Sequence, residues 1–150
     1  MLDIGCGDGF LAKQLSLKNI NLIFEGLDFG KSDQSKIFDE SFYEEKYFTS
    51  LFNFKSAKQY KLIVCSHFIE HQNNIENTLL KIISLCKEGG YIIFEWPEPH
   101  RLMIGGHVIY MIPSLLAYNL AKVGLNVKKS FAIKSGEYYL LVIEKLNLVL

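Results

Sequence analysis

The first nine residues hold the pattern in this chain best suited to bind a ligand. Gly5, Gly7 and Gly9 follow a short apolar run with the spacing G-x-G-x-G. Glycine adopts positive φ angles and lets a ligand approach the backbone closely. A strand, a glycine turn and a helix together place a ligand at the helix N-terminus, beside the carboxyl edge of a parallel sheet. Asp3 precedes the first glycine, and its charge suits a positive group such as an ammonium better than a pyrophosphate.

A second acid, Asp28, stands 19 positions after Gly9, at the end of a strand predicted over residues 21–28. The ribose-binding acid of doubly wound nucleotide folds lies about 20 residues after the glycine turn. A carboxylate at this point accepts both ribose hydroxyls through charge-assisted hydrogen bonds. We therefore interpret Asp28 as a ribose ligand, with a solvated loop aspartate as the alternative.

A third group of polar residues, S-H-F-I-E-H at positions 66–71, follows a buried strand predicted over Lys61–Cys65. His71 is the candidate base, because an unperturbed imidazole titrates near neutrality and is available there for proton transfer. The alternative for His71 is a structural role that holds the loop. Glu70 either orients His71, contacts the ligand, or is a solvated acid at a helix start.

The stretch after the fifth predicted strand carries His100, Arg101 and His107, which we expect to border an acceptor pocket. Two histidines with no fixed carboxylate beside them are poor evidence for a metal site. We therefore predict that the chain binds no metal.

These motifs, in this order, resemble the class I S-adenosylmethionine-dependent methyltransferases, whose first motif is an apolar strand ending in (D/E)-x-G-x-G-x-G. The S-H-x-x-E-H string is similar to the fourth motif of the members that methylate small molecules such as quinones and sugars. The (D/N)-P-P-(Y/F) signature of members that methylate DNA bases is missing here. The resemblance implies S-adenosylmethionine as the cofactor and a small-molecule acceptor. The cofactor-binding residues that it implies are Asp3, Gly5, Cys6, Gly7, Gly9, Asp28, Ser66 and His67.

The fold that the resemblance implies is α/β: a doubly wound, Rossmann-like and mostly parallel sheet with helices on both faces and a C-terminal antiparallel hairpin. We expect one domain over residues 1–150. The sequence itself predicts strands and helices in a compatible order. Further strands are predicted over 47–51 and 91–96, and a hairpin over 127–134 and 137–146. A first helix begins at Phe10. A second begins at an Asn73–Glu76 capping box and ends at Gly89-Gly90, and a third begins at Pro113 and ends at Gly124.

Composition excludes several classes of protein. The chain has 16 basic and 16 acidic residues, so no excess charge favours nucleic acid or an anionic membrane. No apolar run is long enough to span a bilayer. The three cysteines are odd in number and lack C-x-x-C spacing, which favours free thiols in a reducing compartment. We predict a cytoplasmic protein.

Two other functions stay open. Members of this family carry a helical segment before the first strand, whereas only Met1 and Leu2 precede Asp3, so we expect a chain that lacks this segment. That shortening favours a non-catalytic, methyltransferase-like binding module. A nicotinamide-dependent oxidoreductase is disfavoured, because the dinucleotide fingerprint requires glycine where this chain has Phe10. Whether oxygen, carbon or nitrogen is methylated stays open as well.

Overall fold

The computed structural model describes residues 1–30, 42–98, 111–125, 130–135 and 138–145. For residues 130–135 it describes the backbone only. The elements in chain order are β1 (Leu2–Ile4), α1 (Phe10–Leu17), β2 (Glu25–Asp28), β3 (Glu45–Phe48), β4 (Tyr60–Ser66), α2 (Ile75–Leu85), β5 (Cys86–Pro97), α3 (Pro113–Lys122), β6 (Ser130–Ser135) and β7 (Tyr138–Glu144). Helices separate β1 from β2, β4 from β5 and β5 from β6, as in an α/β protein.

Within the described residues the strands form one sheet of seven, in the order β3-β2-β1-β4-β5-β7-β6. The five strands from β3 to β5 are parallel to their neighbours, and β7 pairs antiparallel with both β5 and β6. The order reverses at β1, which lies between β2 and β4. Such a reversal opens a crevice at the carboxyl ends of the strands, where open α/β sheets bind ligands. The predicted mostly parallel sheet with its C-terminal antiparallel pair is confirmed.

The central strands are apolar because both faces of the sheet are covered, as parallel sheets require. Leu2 and Ile4 of β1 and Ile63 of β4 have no exposed surface. Helix α2 turns Leu79 and Ile82 into the same core. This packing fixes the ends of β1 and β4, from which the glycine turn and the S-H-x-x-E-H segment emerge.

Strands β2 and β3 differ in extent from their predicted bounds. Strand β2 begins at Glu25, four residues later than expected, and β3 is Glu45–Phe48 rather than 47–51. The parallel register pairs Glu25 with Glu45 and Asp28 with Phe48, so the length of β2 determines that of β3. Leu51 is buried in the turn that follows. The apolar pattern at 47–51 therefore reflects packing of a turn and not a strand.

The N-terminus of α2 is also displaced by one residue. The N-cap is Asn74, whose side chain accepts a hydrogen bond of 3.0 Å from the amide of Asn77. The predicted capping box of Asn73 with Glu76 is wrong. Asn74 performs the same function, because an Asn side chain at the N-cap satisfies one of the amides that a helix start leaves without a partner.

The predicted end of α2 at Gly89-Gly90 is wrong, since the helix ends at Leu85 and both glycines belong to β5. Gly89 donates to the carbonyl of Lys145, and the amide of Lys145 donates to the carbonyl of Gly90, both at 2.8 Å. A Cβ on Gly90 would lie 2.7 Å from the carbonyl oxygen of Lys87, so the strand needs glycine there. The Lys145 ammonium also bonds the carbonyl of Ile83 at the end of α2.

Helix α3 begins at Pro113 and is followed by Gly124 with φ of 82°, as predicted. The predicted hairpin is present, with shorter strands at Ser130–Ser135 and Tyr138–Glu144 in place of 127–134 and 137–146. Trp96 of β5 connects α3 to the sheet, since its indole donates to the carbonyl of Met111 at 2.8 Å. In the part of the chain that the structure describes, no helix has the length and apolarity needed to cross a membrane.

Candidate functional site

A cavity of about 250 Å³ lies at the carboxyl ends of β1, β2 and β4, where the strand order reverses. It brings together four residues singled out in the sequence, Gly5, Asp28, His67 and His71. Three separate motifs therefore meet at one site. The remaining wall consists of Ile4, Leu27, Phe29, Thr49, Leu51, Phe68 and Gln72.

The glycine turn is held by β2. The amides of Gly5 and Cys6 both donate to the carbonyl of Leu27, at 2.8 and 3.2 Å. Gly5, Gly7 and Gly9 have φ of 77°, 49° and 83°, a region that favours glycine. A Cβ on Gly5 would approach a side-chain carbon of Phe68 to 3.0 Å. Glycine is thus required for the backbone conformation and, at Gly5, for close packing.

Asp28 joins the end of β2 to the glycine turn. Its Oδ2 accepts a hydrogen bond of 2.8 Å from the amide of Gly7, and its Oδ1 accepts one of 3.3 Å from the amide of Gly30. Each carboxylate oxygen has a second lone pair, and the side chain lines the cavity. Asp28 can therefore accept hydroxyl donors from a ligand while it holds the turn.

Lys46 is a site residue that the sequence did not reveal. It extends from β3, and its ammonium donates to the carbonyl of Gly7 at 3.1 Å and lies 4.9 Å from the centre of the Phe48 ring. The amide of Gly7 is thus hydrogen-bonded to Asp28, and its carbonyl to Lys46. The signal was lost because the predicted third strand began one residue after Lys46.

Asp3 lies beneath the turn and does not line the cavity. It is 2% exposed, and its carboxylate accepts a hydrogen bond of 2.7 Å from the hydroxyl of Tyr43. Burial raises the pKa of Asp3 to about 6, although the Tyr43 hydrogen bond opposes the rise. The structure thus gives Asp3 a role in holding the segment that enters β3. Its predicted contact with a ligand ammonium stays a prediction.

Cys6 and Ser66 are next to the cavity but do not line it. The Cys6 thiol is buried, and this burial raises its pKa to about 12, so it is not a thiolate at neutral pH. The Ser66 hydroxyl donates to a carboxylate oxygen of Glu95 at 2.5 Å. Both residues stabilise the walls of the crevice.

His67 follows β4 with a φ of 49°, which is uncommon for any residue with a Cβ. Its amide donates to the carbonyl of Glu95 at 3.0 Å, and its Nδ1 lies 3.3 Å from Oε1 of Glu70. The interaction with Glu70 raises the pKa of His67, partial burial opposes this, and the charge of Glu95 adds to it. The Tyr138 ring meets the imidazole edge-on at 5.2 Å.

His71 also lines the cavity, four residues further along the chain. It ends a short 3-10 turn, Ile69–His71, and its amide donates to the carbonyl of Phe68 at 3.2 Å. Glu70 within this turn has no exposed surface, so the interpretation of Glu70 as a solvated acid is wrong. The ion pair of Glu70 is with His67, the residue three positions before it.

The remaining candidates lie elsewhere. His100, Arg101 and His107 are outside the described residues. Thr49 and Leu51, just after β3, form part of the cavity wall. Among the described residues, no three histidine, cysteine or acidic side chains stand close enough together to hold a metal ion.

Comparison with known proteins agrees with this geometry. A family model described as a methyltransferase domain matches residues 1–127. A ubiquinone biosynthesis O-methyltransferase from Rickettsia bellii is 26% identical over 97 residues, which are 63% of this chain and 40% of that protein. The chain thus spans about two fifths of the length of the curated relatives that it matches.

Solved structures share the fold. The N-methyltransferase NodS from Bradyrhizobium japonicum, in complex with S-adenosyl-l-homocysteine, has a TM-score of 0.70 at 15% identity, covering 97% of this chain and 77% of that chain. Human N-acetylserotonin methyltransferase in complex with SAM has a TM-score of 0.76 at 18% identity, covering 98% and 47%.

Proposed function

We propose that this chain, which belongs to the methyltransferase domain family, binds S-adenosylmethionine and transfers its methyl group to a small-molecule acceptor. The observation that carries the proposal is that one cavity joins the glycine turn, the acid of β2 and the histidines after β4. We further propose that residues 1–150 form one domain and that the protein is cytoplasmic. The buried free thiols of Cys6, Cys65 and Cys86 support that compartment.

The residues present fit S-adenosylmethionine. Asp28 has lone pairs free for a ribose diol, and Leu27, Phe29 and Leu51 offer apolar surface for a flat base. Gly5 lines the cavity without a side chain, which leaves its backbone open to the amino-acid end of the cofactor. We propose Gly7, Gly9, Cys6 and Ser66 as further cofactor-binding residues around it. Asp3 lies buried beneath the turn, where its carboxylate would add negative charge near the ammonium of the cofactor.

When bound, S-adenosylmethionine supplies a methyl group on a sulfonium whose sulfur keeps the electron pair of the broken bond and leaves as a neutral thioether. The chain has to hold the acceptor in line and close, and such alignment lowers the barrier by about 7–11 kcal/mol in good cases. An acceptor that must lose a proton also needs a base. His71 and His67 both line the cavity and can serve in that role.

The acceptor is proposed to be small and uncharged or weakly charged. The neutral balance of the sequence offers no basic surface for a nucleic acid. The proteins named above are an O-methyltransferase of ubiquinone biosynthesis, an N-methyltransferase and an N-acetylserotonin methyltransferase. We propose His100, Arg101 and His107 as residues that border the acceptor, since they follow β5 in the sequence and β5 ends at the carboxyl edge of the sheet.

Isothermal titration calorimetry with S-adenosylhomocysteine tests the cofactor half of this proposal. We expect saturable heat with one site per chain. The matched control is NADH, for which we expect heat of dilution only, because Phe10 stands where a dinucleotide site needs glycine. NADH binding in place of S-adenosylhomocysteine would instead support an oxidoreductase.

The second candidate is a non-catalytic binding module, favoured by the position of Asp3, which lies buried beneath the turn and does not line the cavity. Transfer of label from methyl-labelled S-adenosylmethionine to a panel of phenols, amines and carbon acids separates the two. Cofactor binding without transfer to any acceptor would favour the module. Absence of cofactor binding as well would refute the methyltransferase proposal.

A further inference from the structure

The carboxylate of Glu70 has an unusual position for an acid. Glu70 has no exposed surface, and neither of its carboxylate oxygens has a hydrogen-bond donor among the described residues. Its partner among the described residues is Nδ1 of His67, which lies 3.3 Å from Oε1, at ion-pair distance but without hydrogen-bond alignment. A buried charge without donors is unfavourable unless a cation neutralises it. Glu70 therefore depends on the imidazole of His67.

The imidazole of His67 is placed at the cavity by strained backbone. Its φ of 49° is rare for residues other than glycine, and such conformations concentrate at functional sites. The hydrogen bond from its amide to the carbonyl of Glu95 holds the residue in this conformation. The ring is half exposed and lines the cavity, and the edge of Tyr138 packs against it.

We propose that His67, oriented through Nδ1 by Glu70, is the proton acceptor of this site and that its acceptor substrate is a hydroxyl compound. Because Nδ1 faces Glu70, Nε2 is the nitrogen left for the substrate. The O–H bond of the substrate breaks, the proton moves to Nε2, and the oxygen electron pair forms the bond to the transferred methyl group. The proton then leaves Nε2 for water. This inference rests on the function proposed above.

The arrangement of charges supports this assignment. The titratable groups that face His67 are Glu70 on its own segment, Glu95 on β5, Tyr138 on β7 and His71 across the same cavity. Both carboxylates favour the imidazolium that forms when the proton arrives. Glu70 acts here as a positioning residue, in the same manner as the acid that orients the histidine of a catalytic triad.

The first experiment measures His67 without any ligand or acceptor. Histidine NMR titrations are recorded for the wild-type chain and for Glu70→Gln, with His67→Asn used to assign the signal. Asn is the chosen replacement because it tolerates the left-handed conformation. We expect the titration midpoint of His67 to fall by at least half a pH unit in Glu70→Gln. An unchanged His67 midpoint overturns the pairing.

The second experiment uses diethyl pyrocarbonate, which modifies neutral imidazole, with the modified histidines identified by mass spectrometry. We expect S-adenosylhomocysteine or catechol, used as a phenolic probe, to slow modification of His67. We also expect Glu70→Gln to shift the pH dependence of this modification to lower pH. Modification of His67 that neither compound slows would place its Nε2 outside the site and overturn the proposal.

The third experiment compares His67→Asn with His71→Asn, the rival base, and with the control Lys61→Met, which changes an exposed side chain of β4 that does not line the cavity. We expect all three to bind S-adenosylhomocysteine. We expect His67→Asn to lose at least 100-fold in kcat with a hydroxyl acceptor, His71→Asn to lose less, and Lys61→Met to keep the wild-type kcat. Full activity in His67→Asn, or the loss in His71→Asn alone, overturns the assignment of the base and leaves the proposed function intact. Failure of the wild-type chain to bind S-adenosylhomocysteine refutes both.

Discussion

The amide of Gly7 donates a hydrogen bond of 2.8 Å to Oδ2 of Asp28, so the acid of β2 and the glycine turn form one structural unit. Asp28 consequently has two functions. It fixes the turn through Gly7 and Gly30, and it presents its remaining lone pairs to the cavity. Replacement of this side chain should therefore affect ligand binding more than the loss of a single contact would.

Asp28→Ala is expected to weaken S-adenosylhomocysteine binding by at least tenfold, about 1.4 kcal/mol. Hydrogen bonds to a charged group contribute roughly 1.5–3 kcal/mol each, and two ribose contacts are removed. Calorimetry measures the affinity, and circular dichroism checks the fold. The control is Glu45→Ala, which removes an exposed acid from the adjacent strand. Equal affinities for the two variants would remove Asp28 from the ligand site.

Lys46→Met should weaken cofactor binding by about three- to tenfold, because the carbonyl of Gly7 loses the ammonium that fixes it. The side chain is partly exposed, so we expect its hydrogen bond to contribute about 1 kcal/mol. Calorimetry and urea unfolding measure the two effects. Lys61→Met, at an exposed position on β4, is the matched control and should change neither quantity. Wild-type affinity in Lys46→Met would mean that the turn keeps its conformation without this contact.

The parts of the site that depend on local sequence could be predicted. The glycine turn requires glycine at Gly5, Gly7 and Gly9 whatever the rest of the chain does, and all three have positive φ. Asp28 ends β2 and His67 directly follows β4, and both strands are parallel to β1, so the positions of the two residues at one edge follow from the fold class. This is why the sequence identified most of the motifs that meet at the cavity.

The parts that depend on pairing between distant segments could not be predicted. The bounds of β3 follow from its register with β2, which is why Lys46 was missed. Pairing with Lys145 turns Gly89-Gly90 into a strand, against the local signal for a helix end. The ion pair of His67 with Glu70 forms where His67 adopts a φ of 49° just before the 3-10 turn Ile69–His71, a conformation that no local pattern in the sequence indicates.

Gly26→Ala tests the packing between β2 and the glycine turn. A Cβ on Gly26 would lie 2.8 Å from Sγ of Cys6 and 3.1 Å from the ring of Tyr43. Overpacking of this kind destabilises by about 1–3 kcal/mol. We expect urea unfolding to show a loss in that range, and the double variant Cys6→Ala with Gly26→Ala to recover part of it.

The control for this substitution is Gly30→Ala, since a Cβ there meets nothing within 4 Å. It should unfold at nearly the wild-type urea concentration. A Gly26→Ala chain as stable as Gly30→Ala would show that Cys6 and Tyr43 can move aside without loss, and that the turn is not tightly packed on β2.

The buried carboxyl of Asp3 makes stability depend on pH. Burial raises its pKa in the folded chain to about 6, from 3.8 in an unperturbed aspartate. Between these two values the folded state binds a proton that the unfolded state has released. Stability from this group is therefore highest below about pH 4, falls as pH rises towards 6, and stays low above it.

Asp3→Asn is expected to stabilise the chain above pH 6 by about 2–3 kcal/mol, at 1.36 kcal/mol for each unit of pKa difference. The amide has no charge to desolvate, and its oxygen can still accept the hydrogen bond from Tyr43. Urea unfolding of both chains from pH 4 to pH 8 measures the difference, which should vanish at the acid end. Asp8→Asn, an exposed acid of the same turn, is the control and should follow the wild-type curve. A constant difference between Asp3→Asn and the wild type across this range would mean that Asp3 does not titrate there.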